Sequence, residues 1–167
     1  MKTGRSLLFI LFLQLIILGA VCSAGAREPA AADARTRCSV CGMFVAKYPN
    51  WLAQIQYADI ENTKFFDGVK DMMVFYFHPE QYDGGPREKM TALLVKDYYT
   101  LKWLSAKEAY YVVGSDQYGP MGHELVPFAS REGAAAFSKD HHGKDILTFE
   151  EITPELIESL RLGQKMR

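Results

Sequence analysis

Apolar and polar positions change period several times along this chain, and each change marks an element. WLAQIQYA, residues 51–58, alternates apolar and polar, the pattern of a half-buried strand. A polar turn follows at 59–63, then the short apolar segment KFF. Asp67 stands where a helix N-cap belongs, before VKDMMVFYF, and that helix runs to His78 because Pro79 blocks its continuation. YDGGPREK, 82–89, is a loop by its Gly and Pro, and MTALLVKDYYT is a strand. Ser105 to Glu108 has the S-x-x-E form of a capping box and predicts a helix start. AYYVVGS is a strand, QYGPMGHE a loop, and ELVPFAS another extended piece. Ser130 caps a helix over REGAAAFSKDHH that stops at Gly143. ILTFEEI predicts a last strand, and Thr153 caps a C-terminal helix with Pro154 at its first position, where Pro is tolerated.

Strand, turn, strand and capped helix occur twice in this reading. The first copy is AQIQYAD followed by KFFDGVKDMMVFYF, and the second is AYYVVGS followed by ELVPFASREGAAAFS. A Phe precedes each helix start, Phe66 before Asp67 and Phe128 before Ala129 and Ser130. The fold class expected is α+β, with two ββα-type units packed together. Their bounds are about 38–80 and 105–143, within a domain of 38–154 that is followed by a C-terminal helix at 155–167.

The first 26 residues stand outside that fold. Lys2 and Arg5 form a basic start, 7–21 is an apolar run, and Ala24-Gly25-Ala26 fits the small-x-small pattern of a leader cleavage site. Cleavage after Ala26 is expected, because an apolar run of ~15 residues is short for a membrane span of ~20. Cys22 offers a second ending, lipidation, although Gly19 and Val21 stand where a lipidation signal has Leu and a small residue. Either ending places the mature chain outside the cytoplasm, in the periplasm, with a membrane anchor at Cys22 in the second case. Residues 27–37, REPAAADARTR, are polar and Ala-rich and are expected to be a tether.

Charge and composition narrow the function. A formal net charge of -1 shows no basic surface for nucleic acid, and the 13% aromatic content is that of a globular chain. The sequence has no G-x-S-x-G, no H-E-x-x-H and no phosphate-cradling glycine loop, so no enzyme activity is expected.

The chemistry concentrates in CSVCGM, where two of the chain's three cysteines and a methionine fall within six positions. Covalent haem attachment needs His after the second Cys, and Gly42 is there. Thiol–disulfide exchange usually places C-x-x-C at a helix N-terminus, and GMFVAKYPNW predicts no helix. A structural disulfide across this small loop is the plain alternative. Structural zinc needs four ligands, and His78, His123, His141 and His142 lack the pairing that would supply two more. The fourth reading is Cu(I), a soft ion that favours thiolate and thioether donors. Cys38 and Cys41 are its candidate thiolates, with Met43 two positions on. Met121 and His123 in GPMGHE are a second candidate pair, at i and i+2 in a glycine-rich loop that can bend toward a ligand.

CSVCGMFVAKYP, FFDGVKDMM and GSDQYGPMGHELVPFAS, in that order, resemble the NosL family, exported accessory proteins of nitrous oxide reductase. The resemblance spans Arg37 to about Pro154. It implies paired ββα units and a periplasmic or membrane-tethered Cu(I) metallochaperone that loads the reductase or its copper-site assembly machinery. The family's C-x-x-C-G-M maps onto Cys38, Cys41, Gly42 and Met43, and its glycine–methionine loop onto Gly119, Pro120, Met121 and Gly122. CSVCGMFV is also similar to the opening of YHS/TRASH-type metal modules, which carry Cys after an aromatic pair where this chain has Asp67. The rival from another class is a periplasmic thiol–disulfide carrier using Cys38 and Cys41, which would have no need of Met43 or Met121.

Overall fold

A computed structural model describes residues 28–58 and 62–163. The leader, its cleavage site and Cys22 lie outside the described residues. Strand β1, Ala53–Tyr57, is central in the first sheet. It pairs antiparallel with β2, Lys64–Phe66, on one side and with β3, Met90–Lys96, on the other. Helix α1, Val69–Phe77, connects β2 to β3. β4, Trp103–Ser105, adds to the free edge of β3. The second sheet repeats this plan. β5, Tyr110–Val113, is central, β8, Val126–Phe128, and β9, Asp145–Leu147, flank it, and α2, Arg131–Asp140, connects the flanking strands. A small hairpin, β6 (Tyr118–Gly119) and β7 (Gly122–His123), is inserted between β5 and β8. Helix α3, Pro154–Arg161, follows β9. The architecture is α+β, and each ββα unit uses the strand after its helix as a third sheet partner.

Burial explains how the units join. β5 alternates its faces: Tyr111 and Val113 enter the main core with Ile55, Phe66, Met72 and Phe75, while Val112 faces a smaller core with Val126, Phe128 and Phe137 under α2. The main core therefore lies between the two units, and Ile157 and Leu160 of α3 complete it. Met72 and Met73 are wholly buried there as packing residues. Among the described residues no helix is long and apolar enough to cross a membrane.

Four local expectations change. β1 is buried on both faces, not one, because Gln54 and Gln56 are covered by the segment before Cys38. Gln54 exchanges two hydrogen bonds with the Ala30 backbone, at 2.9 and 2.6 Å, and Gln56 Nε2 donates to the Glu28 carbonyl at 2.8 Å. The segment read as a tether is thus bonded to the sheet along part of its length. The capping box at Ser105 starts no helix. Leu104 and Ser105 pair with Val95 and Leu94, and a turn closed by Glu108 N–H on the Ser105 carbonyl, at 3.1 Å, leads into β5. Asp67 does not cap α1: the N-cap is Gly68, with no side-chain bond. Ser130 and Thr153 cap as expected, accepting from Gly133 N–H at 3.1 Å and Leu156 N–H at 3.2 Å.

Candidate metal centre

Residues 38–43 form a tight loop against the first sheet. Cys38 N–H donates to the Met43 carbonyl at 2.8 Å, and Gly42 N–H returns to the Cys38 carbonyl at 3.0 Å. Gly42 has φ +76°, a left-handed conformation that favours glycine, which is why the turn closes at this position. Ser39 N–H donates to the Phe65 carbonyl at 2.9 Å and fastens the loop beside β2. Arg37 stacks over the Phe44 ring at 4.0 Å and donates to the Gly42 carbonyl at 2.8 Å, which braces the loop from outside.

The loop brings backbone N–H groups near its sulfurs. The backbone N–H groups of Cys41, Val40 and Asp67 near Cys38 Sγ, and of Met43 near Cys41 Sγ, favour the thiolates against the larger effect of burial. Such donors stabilise a thiolate once a cation is present. The cysteines are free thiols, Cys38 buried and Cys41 half-buried. Burial, then the Asp71 charge, pushes the Cys38 thiol far up. Burial pushes Cys41 up to about 12, with Asp71 adding to the shift.

Two carboxylates meet the sulfurs from the start of α1. Cys38 Sγ donates to Asp71 Oδ2 at 3.3 Å, and Cys41 Sγ lies 3.5 Å from both oxygens of Asp67. One donor atom from each of Cys38, Cys41, Asp67 and Asp71 lies within 4.8 Å of the other three. Burial raises the Asp71 pKa, and the Asp67 charge adds to it. Asp67 reads from the sequence as a helix cap, and the fold instead turns it, with Asp71, to the sulfurs. The readable signal was the D-x-x-x-D spacing of DGVKD, which puts one carboxylate just before the N-cap and the other on the first turn of α1.

The hairpin that carries Met121 and His123 is fastened to the same end of α1. The buried Lys70 Nζ donates to the Met121 carbonyl at 2.6 Å and the His123 carbonyl at 2.8 Å. Glu124 Oε1 accepts from Lys70 N–H at 2.6 Å and Leu125 N–H at 2.9 Å. The structure brings Cys38 and Cys41 together. Met43 supplies backbone bonds to the loop and is half-buried. Met121 is 47% exposed at the hairpin tip. The His123 ring packs on Tyr118, with centroids 4.9 Å apart, and is not one of the four convergent donors.

Fold and site together define a two-unit α+β protein with a sulfur-and-carboxylate cluster beside an exposed methionine hairpin. The NosL family model matches residues 29–157. The chain is 31% identical over 139 residues to the copper-binding lipoprotein NosL of Stutzerimonas stutzeri, across 78% of this chain and 69% of that protein. Against the copper-binding lipoprotein NosL of Achromobacter cycloclastes it is 31% identical over 128 residues, across 70% of this chain and 63% of the relative. The crystal structure of the copper chaperone NosL from Shewanella denitrificans superposes with a TM-score of 0.66 at 27% identity, covering 78% of this chain and 99% of that one. The chain belongs to the NosL family.

Proposed function

We propose that this protein is an exported Cu(I) chaperone, with Cys38 and Cys41 as the thiolates that hold the ion. The observation that carries this reading is the loop 38–43, which sets two free thiols side by side, their sulfurs within 4.8 Å of each other. Two thiolates form a soft donor pair suited to Cu(I) as cargo. Each thiol releases its proton as the ion enters, and the N–H groups offset the charge that remains. Met43, or Met121 and His123 from the hairpin, completes the soft set. The exposure of Met121 suits it to be the ligand exchanged first when copper passes to a partner. The names of the relatives, copper-binding lipoproteins and a copper chaperone, support the same class and an exported, membrane-tethered location. Nitrous oxide reductase, or its copper-site assembly machinery, is the partner this reading assigns.

A thiol–disulfide carrier is less well served by this site. Attack on a disulfide needs an accessible thiolate, whereas Cys38 is 3% exposed and burial, with the Asp71 charge behind it, holds it as the thiol. The deciding experiment titrates the reduced chain from Arg27 onward with Cu(I), without oxygen, against a chromophoric Cu(I) chelator. Tight binding of a single Cu(I) is expected, abolished by Cys38→Ser/Cys41→Ser and weakened by Met121→Leu. Protein with titratable free thiols that cannot compete with the chelator would rule the copper reading out.

A further inference from the structure

The four convergent donors do not all suit one metal. Cu(I) is served by sulfur and imidazole, and a carboxylate oxygen is too hard a donor to add much. Yet Asp67 is 1% exposed and Asp71 5%, and both are aimed at the sulfurs. Burying carboxylates costs free energy unless something compensates them. Lys70, the buried cation of this helix turn, favours the Asp71 carboxylate by its charge but directs its Nζ to the carbonyls of Met121 and His123, and burial still leaves the Asp71 pKa raised. A cation between the sulfurs and the carboxylates would supply the compensation.

We propose that Cys38, Cys41, Asp67 and Asp71 form a tetrahedral site for a borderline divalent cation, Zn2+, which shares the two thiols with Cu(I) but has its own oxygen ligands. The distances fit. Zinc lies ~2.3 Å from sulfur and ~2.0 Å from carboxylate oxygen, which makes a tetrahedral S···O edge about 3.5 Å long. The edges here are 3.3 Å from Cys38 Sγ to Asp71 Oδ2 and 3.5 Å from Cys41 Sγ to Asp67. All four donors lie within 4.8 Å of one another, so an ion enters with small side-chain movements. Zinc accepts mixed sulfur and oxygen donors in four-coordinate sites. Two thiolates and two carboxylates around it leave a net charge of two minus. That charge is offset by the N–H groups on the sulfurs and by the N-terminal end of α1, whose first turn carries Asp71. Binding releases one proton from each thiol.

Zinc is redox-silent, and a thiolate held on it is withdrawn from oxidation. An exported C-x-x-C pair needs such protection if it is to meet Cu(I) reduced. Thiolates favour Cu(I) over Zn2+, so arriving copper takes the sulfurs while Asp67 and Asp71 let go. The zinc site stands on its own donors; its replacement by Cu(I) rests on the copper reading.

The test is zinc-edge X-ray absorption on the reduced chain loaded with one Zn2+, beside competition of wild type and Asp67→Asn/Asp71→Asn against a chromophoric zinc chelator. Two sulfurs at ~2.3 Å and two oxygens at ~2.0–2.2 Å, without the outer-shell scattering of imidazole, are expected. Zinc affinity in the double variant should fall beyond the ~10–100-fold that loss of an outer-shell partner costs, and further than its Cu(I) affinity does. Imidazole scattering, four sulfurs from two copies of the chain, or zinc affinity unchanged by the double substitution would overturn the proposal. The absorption experiment needs no variant to fold. Cu(I) binding with any of those zinc results leaves the copper reading standing alone, and a two-sulfur, two-oxygen zinc site in a chain that fails to bind Cu(I) does the reverse.

Discussion

Asp71 shows how one side chain sets the chemistry of its neighbours. It lies on the first turn of α1 with 5% of its surface exposed, and it accepts from the Cys38 thiol. Without a cation its charge opposes thiolate formation at both cysteines, on top of the larger effect of burial. Replacing Asp71 by Asn keeps the shape and removes the charge, so both thiols should ionise more readily. Iodoacetamide alkylation of metal-free protein at pH 8 reads the thiolate directly. Each pKa unit recovered multiplies the thiolate fraction by about ten while the thiol form dominates. Cys41, the more exposed of the pair, should gain in rate; an unchanged rate would mean that burial alone holds the thiols. Gly42 acts on the same loop through the backbone. At φ +76° a Cβ has open space around it but a strained conformation, so Gly42→Ala should cost about 1 kcal/mol in urea unfolding without displacing a neighbour.

Local signals that share an element's own hydrogen bonds were legible from the chain, and those that depend on a distant partner were not. Ser130 and Thr153 were readable as caps because cap and helix are contiguous. The S-x-x-E at Ser105 misled because β3 claims Leu104 and Ser105 as ladder partners and leaves too few residues for a helix before β5. Substitution should separate the two serines. Ser130→Ala should lower unfolding free energy by about 1 kcal/mol, and Ser105→Ala should stay within ~0.5 kcal/mol, both measured by urea titration. Equal losses would mean that the turn at 105–108 carries cap energetics after all. The C-x-x-C-G-M loop was legible as a candidate because its residues are sequential. Asp67 was hidden by a competing and sufficient reading as an N-cap. Only the fold shows Gly68 in that role, with the Asp67 carboxylate turned to Cys41. Lys70 and Glu124 were invisible for a related reason, since they lie 54 positions apart and meet only when the hairpin docks on α1.

Glu124 lies at the junction of the two units, and the whole molecule should report its protonation. Glu124 is fully enclosed between them, accepting from Lys70 N–H of the first and Leu125 N–H of the second. Gly68 and Gly119 line its walls, where a Cβ would collide with its side chain. Burial raises its pKa from 4.5 to about 8, against the backbone hydrogen bonds and the Lys70 charge that lower it. The sign of the pH effect follows from which state holds the proton. Below pH 4.5 folded and unfolded chains both carry it, and the contribution to stability is complete. Between 4.5 and about 8 the folded chain keeps a proton that the unfolded chain has released, so stability falls as pH rises, by up to ~1.4 kcal/mol per unit for one proton. Above about 8 both states are ionised and the decline ends. Buried Asp71, whose pKa is also raised, adds to the same slope. The carboxylates with lowered pKa, such as Asp97 and Asp116, act in the opposite sense and only in more acidic solution. Metal-free protein should therefore lose stability steadily from pH 5 to pH 8. Glu124→Gln, which mimics the protonated form, should flatten most of that slope and make the protein relatively more stable at pH 8 than at pH 5 when each is compared with wild type. Urea midpoints of the two proteins across that range measure it. Parallel curves would show that Glu124 is ionised in the folded state and that Lys70 outweighs burial at the junction.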